Sequence, residues 1–359
     1  MDPSTPKPGT NGENPPDSKG SAPATHDEVQ STASKFARWK DQTSAWLLDG
    51  AMYAGMFALQ RRHQLKAGSR ESLEQYIEEC APLTREAFFA APALIPANPQ
   101  ESPSPVKWES PVRTGHPKND HCHADLYPCA RGWEAPTVLF LHALMSTSDT
   151  GYRQWAADFN SQGWNACFIH LPYHYSRTPP GRLNGELAIT ADLVRTAEGL
   201  RQGVSELRQL MAFLRLKGCR EFGLWASSYG GWIGALLASV ESDFRFLALM
   251  EPIVDVGHAI WTSPAGTAVR RQLRLQGIDP ALVERHFHLT SPLHAMPLCS
   301  GQRVVLAAGE YDRVARPAEV AQLHELWQTA GLLRISQGHF GYKMMPAVWR
   351  WLLENGVLR

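Results

Sequence analysis

Ser228 stands in the stretch Gly223-Leu-Trp-Ala-Ser-Ser-Tyr-Gly-Gly-Trp232, where an apolar run breaks at a turn of small residues and resumes as Trp232-Ile-Gly-Ala-Leu-Leu-Ala238. A serine on a sharp strand-to-helix turn is the nucleophile-elbow arrangement, which needs small residues two before and two after the hydroxyl. Ala226 and Gly230 meet that requirement for Ser228, whereas Ser227 would have Trp225 upstream. Gly231 adds a small position where a helix can pack back on a sheet. A serine hydroxyl attacks a carbonyl only when a base takes its proton and an acid orients that base. Two later segments can supply them: Gly309-Glu-Tyr-Asp312 after the apolar run Val304–Ala308, and Gln337-Gly-His339 after Leu332–Ser336. Glu310, Glu251 and Asp255 compete with Asp312 for the acid role, and His324 competes with His339 for the base. His324 lies on an amphipathic helix pattern, which favours a structural role.

Groups so far apart in the chain meet only if strands carry them to one edge. After Pro136 the sequence alternates short apolar runs with helical patterns, which predicts an α/β domain with a mostly parallel sheet covered on both faces. Predicted strands are 137–141, 166–170, 221–226, 246–250, 303–308 and 332–336, with helices over 152–162, 188–216, 232–240, 317–330 and 345–354. The connection over about 256–302 is long and carries two short helical patterns, as expected of a cap over a site. Arg270, Arg271 and Arg274 make one of them basic, for which a solvated face and an anion-binding wall are equal alternatives.

Upstream, residues 1–34 are rich in Pro, Gly, Ser and Thr and read as a disordered tail. Residues 35–104 read as a helical extension, with one helix over 36–65 and a second over 70–89 opened by Ser72, then an Ala- and Pro-rich linker over 90–105. The first helix has a broad apolar face including Trp39, Trp46, Leu47, Tyr53 and Phe57, but it contains Asp49 and its apolar part is too short to span a bilayer. Packing on the catalytic domain is the main reading, and peripheral contact with a membrane or partner is the other. Residues 106–113 and 121–127 read as a strand pair. His121 and His123 share a strand face there, but no third or fourth ligand is evident nearby, so no metal is expected.

The order Ser228, Asp312, His339, each after its own strand, resembles the α/β-hydrolase superfamily over roughly 105–359. The resemblance implies a doubly wound, mostly parallel eight-stranded sheet, with a helical cap after the sixth strand and here an N-terminal helical extension. It assigns Ser228 as nucleophile, Asp312 as acid and His339 as base. His142-Ala-Leu-Met145 matches the family's oxyanion turn, with Ala143 where glycine is common. The two oxyanion donors implied are the N–H groups of Leu144 and Tyr229. The segment His170-Leu-Pro-Tyr-His-Tyr-Ser-Arg177 is similar to a bacterial group of α/β-hydrolases of undefined substrate. His142, His174 and Arg177 are candidate substrate contacts, with loop stabilisation an equal alternative for the last two. The activity implied is serine esterase chemistry on a small-molecule ester or acyl substrate through an acyl-enzyme, with no cofactor. An acyltransferase using the same groups, and a non-catalytic binding protein of the same fold, stand as alternatives.

Composition agrees with a soluble enzyme. Hydrophobic residues make up 43% of the 359, enough for a substantial core. Basic and acidic residues number 35 each, which leaves no net field to draw nucleic acid. The six cysteines show no C-x-x-C pair and no secretory signal opens the chain, so reduced thiols and a cytoplasmic or membrane-peripheral location are expected.

Overall fold

The computed structural model describes residues 26–62, 67–92 and 105–359. Two compact units divide the chain, Met1–Lys40 and Asp41–Arg359, and the site belongs to the second. The helices are α1 (His26–Arg62), α2 (Arg70–Cys80), α3 (Arg85–Phe88), α4 (Thr150–Ser161), α5 (Leu193–Leu216), α6 (Tyr229–Ala238), α7 (Val256–Trp261), α8 (Thr267–Leu275), α9 (Pro280–His286), α10 (Pro317–Trp327) and α11 (Met344–Glu354). The strands are β1 (Val106–Glu109), β2 (His121–Tyr127), β3 (Thr137–Leu141), β4 (Asn165–Ile169), β5 (Phe222–Ser227), β6 (Phe244–Met250), β7 (Val304–Gly309) and β8 (Gly331–Ile335).

The eight strands form one sheet in the order β1-β2-β4-β3-β5-β6-β7-β8. β1 and β2 pair antiparallel, and β2 joins β4 antiparallel; from β4 to β8 every pairing is parallel. Strands buried on both faces read as continuous apolar runs, and Thr137-Val-Leu-Phe-Leu141 is buried at all five positions. Alternation then sorts the side chains. Leu139, Leu141, Leu224, Leu249 and Leu306 enter a core shared with α5, α6 and α10. Val138, Phe140, Trp225, Ala248 and Val305 enter a second core under α4 and α11.

Several boundaries differ from those expected. The tail reading covers residues 1–34, yet α1 begins at His26; residues 1–25, and 93–104 of the proposed linker, lie outside the described residues. The helix expected over 70–89 stops at Cys80 and restarts at Arg85, because Pro82 cannot continue the hydrogen-bond ladder. Its cap is Ser69, whose Oγ accepts from the Ser72 N–H at 3.1 Å, rather than Ser72 itself. The cap between β6 and β7 contains three α-helices instead of two. Arg70 donates to the Gly277 carbonyl, and Arg85 to those of His288 and Leu289, so the helical extension is tied to the cap. All six cysteines are buried and unpaired. Among the described residues no helix is long and apolar enough to cross a membrane.

The first helix also turns a different face inward. Ala45, Asp49 and Tyr53, spaced four apart, are buried, while Trp46, Leu47, Leu48 and Met52 are exposed.

Candidate active site

The parallel strands deliver their C-terminal ends to one edge of the sheet. There β3 leads into His142–Met145, β5 into Ser228, β6 into Glu251, β7 into Asp312 and β8 into His339. Ser228 lies between β5 and α6 with φ 52° and ψ −114°, a left-handed backbone that costs a non-glycine residue about 1–3 kcal/mol. The turn is held by the Ser228 N–H, which donates to the Met250 carbonyl at 2.8 Å. Gly230 is obligatory here: a Cβ would come within 2.3 Å of the Leu141 carbonyl oxygen.

Ser228 Oγ is 2.9 Å from His339 Nε2, and His339 Nδ1 is 2.7 Å from Asp312 Oδ2. The other Asp312 oxygen accepts the N–H groups of Val314 at 2.7 Å and Ala315 at 3.0 Å, which fixes the carboxylate on its loop. Burial opposes charge on the His339 ring, but the charge and hydrogen bond of Asp312, with Glu251 and Asp49 adding to them, raise its pKa to about 9. Tyr229 is the first residue of α6, so its N–H has no acceptor within the helix. Leu144 and Tyr229 both line the cavity above Ser228.

That cavity measures about 140 Å³, close to the roughly 150 Å³ at which an apolar cavity holds a benzene-sized molecule. Its walls are almost wholly apolar: Leu144, Ile189, Leu193, Trp232 and Ile253, with Val256, Ile260, Val269 and Phe287 from the cap. Tyr53 and Met56 of α1 complete it. Trp232 Nε1 donates to the Thr290 carbonyl at 2.6 Å, pinning cap to elbow helix.

No family model matches the chain. The uncharacterised protein Rv2627c of Mycobacterium tuberculosis, and its counterpart in a second strain, are 27% identical to it over 218 residues, 58% of this chain and 50% of theirs. The chain thus spans about half the length of the curated relatives it matches. Among solved structures, acetyl xylan esterase from Paenibacillus sp. R4 superposes with a TM-score of 0.55 at 13% identity, over 83% of this chain and 99% of that one. Acetyl xylan esterase 1 from Thermoanaerobacterium sp. JW/SL YS485 does so with a TM-score of 0.51 at 15% identity, over 84% and 98%. The chain has the α/β-hydrolase fold.

Within the α/β-hydrolase fold, the structure brings Ser228, Asp312 and His339 together, with Glu251 beside them, and places the other candidates elsewhere. Glu310 is exposed, and Asp255 caps α7, accepting from the His258 N–H at 2.8 Å. His324 bonds Thr329 on α10. None of His142, His174 and Arg177 lines the cavity, and all three are fully buried. Their polar atoms are engaged within the protein. His142 takes the Leu171 N–H on Nε2, and burial holds its pKa well below the usual histidine value. His174 Nε2 accepts the Met145 N–H at 3.1 Å, supporting the turn that holds Leu144, and burial lowers its pKa to about 4. Arg177 forms a two-bond ion pair with Glu206, at 2.6 and 2.7 Å, and donates to the carbonyls of His170 and Asn119.

Two carboxyl groups near the site had no assigned role from the sequence. Asp49 of α1 accepts the His339 N–H at 3.0 Å, the Phe340 N–H at 3.2 Å and the Tyr53 hydroxyl at 3.3 Å. Gly338 makes room for it, since a Cβ there would lie 2.5 Å from an Asp49 oxygen. The available signal was an acidic residue inside an apolar helix, which buries only when donors meet it. Glu251, weighed as a rival acid, has φ 49° and accepts from Gln337 Nε2 at 2.8 Å. Burial raises its pKa to about 8, despite the opposing charge of His339 beside it.

Proposed function

We propose that this protein is a serine esterase acting on a small-molecule ester whose acyl or alcohol part is apolar. The observation that carries the reading is the hydrogen-bonded chain from Ser228 Oγ through His339 to Asp312 at the head of an apolar cavity. Ser228 Oγ attacks the ester carbonyl carbon while its proton passes to His339 Nε2. The charge that develops on the carbonyl oxygen is received by the Leu144 and Tyr229 N–H groups, each such donor being worth about 2.7–4 kcal/mol at the transition state. His339 then protonates the leaving alkoxide, and the acyl group remains on Ser228. A water molecule, deprotonated by the same ring, releases the acid and restores the hydroxyl. Asp312 keeps Nδ1 protonated and stabilises the imidazolium. The similar structures are named as acetyl xylan esterases, which agrees with ester chemistry on this scaffold.

The test is labelling of the full chain with a fluorophosphonate, comparing wild type, Ser228→Ala and Ser227→Ala. Loss of labelling in Ser228→Ala alone, with ester turnover down by roughly 10⁴-fold or more, supports the reading. A folded wild type that neither labels nor turns over esters sinks it and leaves a binding role. Transfer of the acyl group to an added alcohol in preference to water would make the enzyme an acyltransferase.

A further inference from the structure

Outside the apolar cavity, three side chains at the C-terminal end of β4 and on the neighbouring β2 bring their donor atoms together. His123 and Asp125 lie two apart on β2 and so share a face, and His170 follows β4, the strand β2 pairs with. The His170 N–H donates to the His123 carbonyl at 3.0 Å, which sets the two rings side by side. Those rings stack with centroids 4.1 Å apart and planes within 5°. His123 Nε2 is 3.2 Å from one Asp125 oxygen, and His170 Nε2 is 3.4 Å from the other. One donor atom from each of the three residues falls within a 4.8 Å set. We propose that His123, Asp125 and His170 form a binding site for a divalent transition-metal ion of the zinc type.

The donor set suits that ion: two imidazole nitrogens and one carboxylate are the usual ligands of zinc and its neighbours. Metal–nitrogen bonds of 2.0–2.1 Å in a tetrahedron put neighbouring ligand atoms roughly 3.3 Å apart. The two nitrogen–oxygen separations, 3.2 and 3.4 Å, are of that size, each to a different Asp125 oxygen, so both carboxylate oxygens would face the ion. His170 is oriented from behind by Ser176, whose Oγ is 2.8 Å from Nδ1, and by the Tyr175 ring stacked at 4.9 Å. Such outer partners fix which nitrogen faces the ion. The side chains retain 10–21% exposure, which leaves an approach for the ion and for a water as fourth ligand. His121, the neighbour the sequence pointed to, pairs with Glu109 and is outside the cluster.

A bound ion would tie β2 to the loop of residues 171–177. That loop carries His174, which holds the Met145 N–H, and Tyr175, whose hydroxyl is 2.8 Å from Ser146 Oγ. The first readout is therefore uptake and stability, which stand apart from any reading of Ser228. Untagged full-length protein is stripped with a chelator and titrated with Co²⁺ and Zn²⁺, following visible Co²⁺ absorption, calorimetry and Tm. The expected result is one equivalent bound, a raised Tm and the absorption of a low-coordinate nitrogen–oxygen site. His121→Ala should bind as wild type does. His123→Ala and Asp125→Asn should bind at least ~100-fold more weakly, and Ser176→Ala roughly 10–100-fold more weakly. Should Asp125→Asn fail to fold, His123→Ala and Ser176→Ala carry the comparison. No uptake by wild type at micromolar metal, or equal uptake by the ligand variants, overturns the proposal. In that case the cluster is a carboxylate bridging two imidazole N–H groups.

Discussion

Replacing Asp49 by alanine is the sharpest probe of how the N-terminal helix serves the site. The carboxylate is 1% exposed and takes the N–H groups of His339 and Phe340, at 3.0 and 3.2 Å. Hydrogen bonds to a charged acceptor contribute about 1.5–3 kcal/mol each, and a stranded buried N–H costs about 1–3 kcal/mol. The Tyr53 bond, at 3.3 Å, adds little. Asp49→Ala is therefore expected to lower stability by about 3 kcal/mol, measured by urea unfolding. The same loss loosens the loop that aims Nε2 at Ser228, and misplacement of about 1 Å costs on the order of 10²-fold in rate. The prediction is a fall of that size in kcat/KM for a p-nitrophenyl ester, carried mainly by kcat, with fluorophosphonate labelling slowed in proportion. Asp49→Asn keeps one acceptor and should fall between wild type and Asp49→Ala. It also removes a negative charge that raises the His339 pKa, so the acid limb of its pH profile should move to lower pH. Tyr53→Phe should stay close to wild type. Asp49→Ala that is folded and has wild-type kcat/KM and labelling would refute the reasoning. Lost stability with an unmoved pH profile in Asp49→Asn would reduce Asp49 to a packing role.

Further outcomes follow from the same geometry. With the His339 pKa near 9, the base is largely protonated at neutral pH, so kcat/KM should climb from pH 7 to about 9; a plateau from pH 6 upward would contradict this. Stability should move the other way. A histidine raised above its unfolded value stabilises fully below about 6.5 and loses this as pH rises through its folded pKa, and Glu251, raised to about 8, keeps a proton that the unfolded chain has already lost. The urea midpoint is thus expected to fall between pH 6 and 9. In an ester series, each methylene buried in the cavity is worth about 0.8 kcal/mol, roughly fourfold, so hexanoate should exceed acetate in kcat/KM by up to about 200-fold. Ala259→Trp, which fills the cavity from the cap, should erase that preference while sparing acetate. Arg177→Met leaves Glu206 buried and unpaired, which should cost about 3–5 kcal/mol in unfolding free energy with KM little changed.

The candidate site was legible in the sequence where its logic is local. A turn needing small flanks identifies Ser228 over Ser227, and strand-end loops identify Asp312 and His339, because a parallel sheet must present those ends together. Ser228, His339 and Asp312 lie in sequence at 2.9 and 2.7 Å. Pro82 was equally local and marks the break in the helix expected over 70–89. His174 and Arg177 follow a strand end too, yet depth below the surface is not written in strand order. Glu206 and Asn119 meet Arg177 from 29 and 58 residues away, and enclose it.

What the sequence by itself determined is the sheet and the order in which a serine, a carboxylate and a histidine reach its strand ends, since alternation, small-residue turns and loop positions are short-range patterns. Tertiary structure alone decided which face of the first helix points inward. Apolar content favoured Trp46 and Leu47, but Asp49, 290 residues before His339, is the residue buried. The reason is that a carboxylate can leave water when backbone N–H groups and a hydroxyl replace its solvent, and those donors exist only once the last loop of the domain has closed over it.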